Sequence, residues 1–298
     1  MKKTGFRGVY TAIVTPFAKD GSIDRERFAE QIEFQIAAGV AGIVPCGTTG
    51  ESPTLTHEEH EEVVRLAVRQ ANGRVQVIAG TGSNSTAEAL RLTRAAAEAG
   101  ADGALVITPY YNKPSQEGLY RHFVVLAREG GGLPLVLYNV PGRTGVNLLP
   151  ETVLRLSEHD RIAGVKEASG SLDQASQILA ARPDFTVLSG DDSLTLPIAA
   201  VGGKGVISVA SNVVPETVRE MADHALAGDF AAARETHLRL FPLFRALFLE
   251  TNPIPVKTAM RLAGRDSGAF RLPLCPMSKE NEAKLREVLS RFETLQPA

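Results

Sequence analysis

Two short apolar runs end in side chains that packing alone does not call for. Pro134-Leu135-Val136-Leu137 leads into Tyr138-Asn139, and Ile162-Ala163-Gly164-Val165 leads into Lys166. A lysine amine attacks a carbonyl carbon only when uncharged, and at an ordinary pKa near 10.4 that is about once in a few thousand at pH 7. Desolvation disfavours the ammonium, so an apolar setting is what a Schiff-base lysine needs. Of the eight other lysines, Lys2, Lys3, Lys19, Lys279 and Lys284 fall in termini or polar segments. Lys113 sits in a polar loop, Lys257 in the C-terminal tail, and Lys204 ahead of a later apolar run. Only Lys166 ends such a run; a structural lysine paired with a carboxylate is the other reading, and position alone leaves both open. The Tyr138 phenol suits proton shuttling as a carbinolamine forms and collapses. A core tyrosine with a satisfied hydroxyl is the commoner fate of such a residue.

Gly47-Thr48-Thr49-Gly50 offers backbone N–H groups and two hydroxyls on a tight loop, suited to a carboxylate. It lacks the lysine of a phosphate-binding P-loop, which disfavours a nucleotide. Arg143, in Pro141-Gly142-Arg143-Thr144-Gly145, can clamp a carboxylate in two-pronged fashion, although a loop arginine is more often simply solvated. His57 and His60 enclose only two residues, His-Glu-Glu-His, instead of the His-Glu-x-x-His of zinc proteases, and no Cys/His cluster completes a site. No catalytic metal is expected. Asp191-Asp192 suits either a cation or the cap of a following helix.

These residues punctuate a regular alternation of short apolar runs and helical patterns. The strand candidates are 9–15, 42–46, 75–80, 103–108, 134–139, 162–166, 185–189 and 205–209. Their nearly continuous apolar character marks parallel strands buried on both faces. Thr56-His57-Glu58-Glu59, Ser85-Thr86-Ala87-Glu88 and Ser171-Leu172-Asp173-Gln174 fit capping boxes at helix starts, and Gly39, Gly73 and Gly100 mark helix ends. Eight units predict a (β/α)₈ TIM barrel over residues 1–228, with an appended C-terminal helical domain over 229–298; a doubly wound open sheet is the runner-up. In such a barrel chemistry sits at the C-terminal strand ends, where Thr15, Thr48, Tyr110, Tyr111, Tyr138, Lys166 and Asp191 all fall.

Bulk properties agree. The net charge of −2, with acids and bases interspersed, gives no footprint for nucleic acid or an anionic membrane. The longest apolar run, 36–46, is interrupted by Gly39, Gly42 and Pro45 and is too short to span a bilayer. The basic start is not followed by the apolar stretch of a signal peptide. With only Cys46 and Cys275, a reduced cytoplasmic protein acting on a small molecule is expected.

Taken in order, several segments closely resemble the dihydrodipicolinate synthase (4-hydroxy-tetrahydrodipicolinate synthase) family over essentially the whole chain. They are Gly47-Thr48-Thr49-Gly50-Glu51-Ser52, Tyr110-Tyr111-Asn112-Lys113-Pro114, Tyr138-Asn139-Val140-Pro141-Gly142-Arg143-Thr144-Gly145, Gly164-Val165-Lys166-Glu167-Ala168, Leu188-Ser189-Gly190-Asp191-Asp192 and Asn252-Pro253-Ile254-Pro255-Val256-Lys257. The resemblance implies condensation of pyruvate with aspartate semialdehyde in diaminopimelate and lysine biosynthesis, without an organic cofactor. It implies a Schiff base on Lys166, a proton relay of Thr48, Tyr111 and Tyr138, and Tyr111 serving a neighbouring subunit of a homotetramer. It places the semialdehyde carboxylate on Arg143, and pyruvate on Thr49, Gly190 and the backbone near Ile207. It further implies feedback inhibition by lysine at Ser52, Pro53, His57, His60, Asn84, Glu88 and Tyr110, although Glu88 also fits the Ser85 capping box.

Three alternatives are distinguishable. Sialic acid lyases and keto-deoxy sugar-acid aldolases of the same superfamily use the same Lys and Tyr but need polyol contacts, so Arg143 favours the synthase. A non-catalytic amino-acid sensor has no use for the Lys166, Tyr138, Thr48 and Tyr111 set. A phosphate-binding barrel isomerase wants an anion site near strand seven, where Asp191 and Asp192 stand instead.

Overall fold

The computed structural model describes residues 5–292. Eight parallel strands close on themselves in chain order: β1 (Gly8–Thr11), β2 (Gly42–Ile43), β3 (Gln76–Gly80), β4 (Gly103–Ile107), β5 (Leu135–Asn139), β6 (Ile162–Glu167), β7 (Thr186–Ser189) and β8 (Gly205–Ser208). The predicted (β/α)₈ TIM barrel is therefore present, and the open sheet is excluded. Several strands are shorter than their apolar runs. After Thr11, Ala12 still donates to the Ser208 carbonyl, but Val14 donates to the Asn212 side chain instead of a neighbouring strand. Apolar character reports burial, and at the barrel mouth burial continues after strand pairing stops.

Alternation along each strand sorts side chains into two layers. Val136 and Tyr138 of β5, Leu105 of β4, Leu188 of β7, and Tyr10 and Ile207 of β1 and β8 fill the barrel interior. Leu135, Leu137, Val165 and Val187 point outward under the helices. Lys166, one residue beyond Val165, must therefore point inward. The β5–β6 register sets Tyr138 opposite Lys166 and Asn139 opposite Glu167.

The outer helices are α1 (Arg25–Ala37), α2 (His57–Ala71), α3 (Thr86–Ala99), α4 (Gln116–Glu129), the single turn α5 (Pro141–Thr144), α6 (Pro150–Leu156), α7 (Leu172–Ala181), α8 (Thr195–Ala200) and α9 (Pro215–Leu226). The Thr56 capping box is complete, with both reciprocal hydrogen bonds. The other two are half formed. Ser85 and Ser171 accept from the N3 backbone, but the Glu88 carboxylate turns to Ser83 and His57, and the Gln174 amide to Ser169 and Asn147. Each N3 side chain has a stronger or closer partner than the cap backbone.

Past residue 229 come α10 (Phe230–Ala246), α11 (Ile254–Leu262) and α12 (Lys279–Leu289). They share one apolar cluster with β1, β8 and α9, through Val9, Val206, Val218, Leu243, Val256 and Leu285. The expectation that Lys257 occupies an unremarkable tail position is wrong. It is fully buried, and its Nζ donates to Glu51 Oε1 at 2.6 Å, Ala269 O at 2.7 Å and Thr15 O at 3.1 Å. Lysine type and local sequence cannot reveal a partner 206 residues away.

Candidate active site

At the C-terminal mouth, β6 carries Lys166 into a cavity of about 70 Å³ that it shares with Thr48, Thr49, Tyr138, Gly190 and Asn252. This is far smaller than the roughly 300–1,000 Å³ of drug-sized sites, so it suits a ligand of few heavy atoms. Lys166 is 6% exposed, and among the described residues no carboxylate lies within ion-pairing distance of its Nζ. The amine instead sits 4.2 Å from the centroid of the Tyr138 ring. Among the described residues Lys166 is thus not half of a salt bridge, and the Tyr138 ring is the neighbour of its amine. A Cβ on Gly190 would stand 2.5 Å from Ala168 Cβ and 3.1 Å from Lys166 Cε, so any larger residue crowds the amine's stem.

Asp191 also lines this cavity; burial pushes its carboxyl upward, opposed by the Lys166 charge. Asp192 does not cap the helix that follows it. It is buried and accepts from Ser208 Oγ at 2.5 Å and from the N–H groups of Val209 and Ala210 at 3.0 Å, tying the ends of β7 and β8 together. Among the described residues no group of three or more His, Cys, Asp or Glu is set to hold a metal.

The loop after β2 turns through Gly50 N to Gly47 O (3.1 Å) and Glu51 N to Thr48 O (3.2 Å). Among the described residues the N–H groups of Thr48 and Thr49 have no backbone partner, leaving two donors at the cavity wall. Thr15 Oγ1 fixes the turn by donating to Gly50 O at 2.7 Å. Arg143, exposed on α5, donates through Nη2 to the Asn252 carbonyl at 3.2 Å and leaves the rest of its guanidinium for a ligand. Ile207 lies below this level, fully buried in the barrel interior, while Val209 lines the cavity.

Behind the reactive pair, on the outer face of β5 and β6, Asn139 Nδ2 donates to both Glu167 oxygens (3.3 and 3.2 Å) and to Asn147 Oδ1 (2.8 Å), and Ser169 N donates to Glu167 Oε1 (2.7 Å). Burial raises the Glu167 carboxyl above the usual range, opposed by these bonds. The network locks the register that opposes Tyr138 to Lys166.

A second cavity, of about 370 Å³, shares Gly47, Thr48, Tyr138 and Arg143 with the first and extends to Ser52, Pro53, His57, His60, Glu88 and Tyr110. His57 Nε2 lies 2.7 Å from Glu88 Oε1. Bonds from Ser83 and then His57 hold the Glu88 carboxyl low. His60 is buried, which lowers its pKa, and meets the Gly80 carbonyl at 2.8 Å. Asn84 does not line this cavity; its carbonyl accepts from Asn112. Tyr111 is not at either cavity: it is 89% exposed on a left-handed backbone (φ 71°). The sequence set Asp191 at the mouth only as a candidate cation ligand or helix cap, and it offered Asn252 only within the segment Asn252-Pro253-Ile254-Pro255-Val256-Lys257, with no role of its own.

A closed parallel barrel, its mouth holding a lysine set against a tyrosine ring and free of ion pairs among the described residues, defines a Schiff-base enzyme of the (β/α)₈ class. The sequence profile of the dihydrodipicolinate synthetase family matches residues 5–292, and the chain belongs to that family. The 4-hydroxy-tetrahydrodipicolinate synthase of Geobacter sulfurreducens is 55% identical over 97% of this chain and 100% of its own. The crystal structure of dihydrodipicolinate synthase from Aquifex aeolicus superposes with TM-score 0.95 at 52% identity, covering 97% of this chain and 99% of the other. That of the enzyme from Cyanidioschyzon merolae with lysine bound gives TM-score 0.93 at 43% identity, over 96% and 98%. The family and the synthase activity expected from the sequence both stand. No helix of the described residues is long and apolar enough to cross a membrane.

Proposed function

We propose that the chain condenses pyruvate with L-aspartate 4-semialdehyde through a Schiff base on Lys166. The observation that carries this is the inward Lys166 amine, free of any carboxylate partner among the described residues and set against Tyr138. The amine adds to the ketone carbon, Tyr138 passes a proton to the carbinolamine oxygen, and water leaves. Loss of a methyl proton then gives the enamine, whose carbon attacks the aldehyde. The N–H groups of Thr48 and Thr49 hold the keto-acid carboxylate, and Arg143 receives the semialdehyde carboxylate at the entrance. The small cavity and the arginine favour these short substrates over a sugar acid.

The exposure of Tyr111 supports a role in the site of a second copy, so the working enzyme is read as a homo-oligomer, with Thr48 linking the relay within each chain. The larger cavity offers the Glu88 carboxylate and the His57 ring to an amino acid, which supports lysine as an inhibitor there, as the lysine-bound relative suggests. Borohydride reduction with pyruvate, followed by peptide mapping, should leave a stable adduct on Lys166. Arg143→Ala should keep that adduct and lose semialdehyde turnover. An unmodified Lys166 in fully folded protein would sink the assignment.

A further inference from the structure

The loop that offers Thr48 and Thr49 is held from behind by the C-terminal segment. Asn252 is 5% exposed, lines the Lys166 cavity, and donates through Nδ2 to Thr49 Oγ1 at 3.0 Å. Its backbone carbonyl accepts Arg143 Nη2 at 3.2 Å. One residue thus touches both recognition elements, through different atoms. Its remaining amide atom, Oδ1, is buried with no hydrogen-bond partner among the described residues.

The position of Asn252 is itself fixed. It stands next to Pro253, the N-cap of α11, and Lys257 of α11 is locked to Glu51 at the far end of the same loop and to the carbonyl of Thr15. Glu51 adopts φ 54°, a left-handed backbone that a non-glycine residue holds only when its surroundings insist. Asn252 and Lys257 therefore grip the Thr48–Thr49 turn at two points.

We propose that Asn252 is a positioning residue that sets affinity for the 2-keto acid and not for the aldehyde. Its side chain orients Thr49 beside the carboxylate donors. Its carbonyl, which no side-chain substitution removes, orients Arg143. The inference rests on the Schiff-base reading above and deepens it.

The test compares Asn252→Ala, Asn252→Asp and the unaltered enzyme. It measures the pyruvate concentration for half-maximal borohydride labelling of Lys166, KM for each substrate, kcat, and the thermal midpoint. Asn252→Ala should raise pyruvate KM and the half-labelling concentration by about 3- to 10-fold, the effect of one neutral hydrogen bond. KM for the aldehyde should stay within about two-fold, because the Arg143 contact is to backbone. Asn252→Asp, which is isosteric, sets a negative charge beside a carboxylate site and should raise pyruvate KM by about a further ten-fold. A purely structural role would not follow the sign of the charge.

Equal rises in both KM values, or unmoved pyruvate dependence in folded variants, would overturn the proposal. If Asn252→Ala does not fold, Asn252→Asp carries the same comparison. Wild-type enzyme that never labels removes the Schiff-base reading itself, whereas a labelled wild type with unmoved variants removes only the role of Asn252.

Discussion

Replacing Lys257 with methionine isolates what the buried brace contributes. Both Lys257 and Glu51 have fully buried side chains, 2.6 Å apart. The substitution keeps most of the volume but leaves the Glu51 carboxylate with one weaker contact, from Arg271 N–H at 3.3 Å. Breaking a buried pair from one side costs about 3–5 kcal/mol. With an unfolding entropy of roughly 2.1 cal/mol/K per residue over 298 residues, that lowers the melting temperature by about 5–8 °C. Lys257→Met/Glu51→Leu removes both charges and should recover most of the loss, since an apolar pair is often as stable as the ion pair it replaces. Leucine and glutamate meet a similar backbone cost at the left-handed position. Melts followed by circular dichroism at fixed protomer concentration decide the matter. The reasoning is refuted if the single variant melts with the wild type, or if the double variant is no more stable than the single.

Three further outcomes are expected. Tyr138→Phe keeps the ring against Lys166 but loses its hydroxyl, so kcat should fall about 10²- to 10⁴-fold with the fold intact, as steady-state rates and circular dichroism will show. Gly190→Ala drives a methyl group into Ala168 and the Lys166 stem, and should cost about 1–3 kcal/mol in urea unfolding and slow borohydride labelling; wild-type behaviour in both would mean the mouth has room to spare. Burial pushes the His122 imidazole down to about 4 from an ordinary 6.5, with its Nδ1 2.9 Å from Thr86 Oγ1. It is neutral in the fold while the unfolded chain takes up a proton, so its contribution is complete above pH 6.5 and is lost as pH falls toward 4, by about 3 kcal/mol in all. Urea midpoints of His122→Gln should therefore fall less than those of the wild type between pH 7 and pH 4.5.

The barrel was legible because its signal is local. Apolar runs, cap residues and helix-ending glycines each speak for a few neighbouring positions, and eight repetitions leave few closed architectures. Lys166 and Tyr138 stood out for the same reason, since a charged or phenolic residue ending a buried run is visible without knowing what lies opposite. Where two local rules competed, sequence misled. Glu88 satisfies the spacing of a capping box, yet its carboxylate goes to Ser83 and His57, because side chains from neighbouring segments outbid a cap that only half closes.

By itself, the order of residues determined the alternation of strands and helices, the placement of Lys166 and Tyr138 at the ends of buried runs, and the donors of the Thr48–Thr49 turn. Only the tertiary structure decided that Lys166 turns into the cavity and, among the described residues, forms no ion pair, while Lys257, from an unassuming tail, is sealed against Glu51. It alone brought Asn252 to Thr49 across 203 positions and left Tyr111 pointing away from its own cavity. The physical reason is one of range: backbone geometry repeats every two or four residues and is written locally, whereas the partner of a buried charge or amide is whatever the closed barrel carries to within hydrogen-bonding distance.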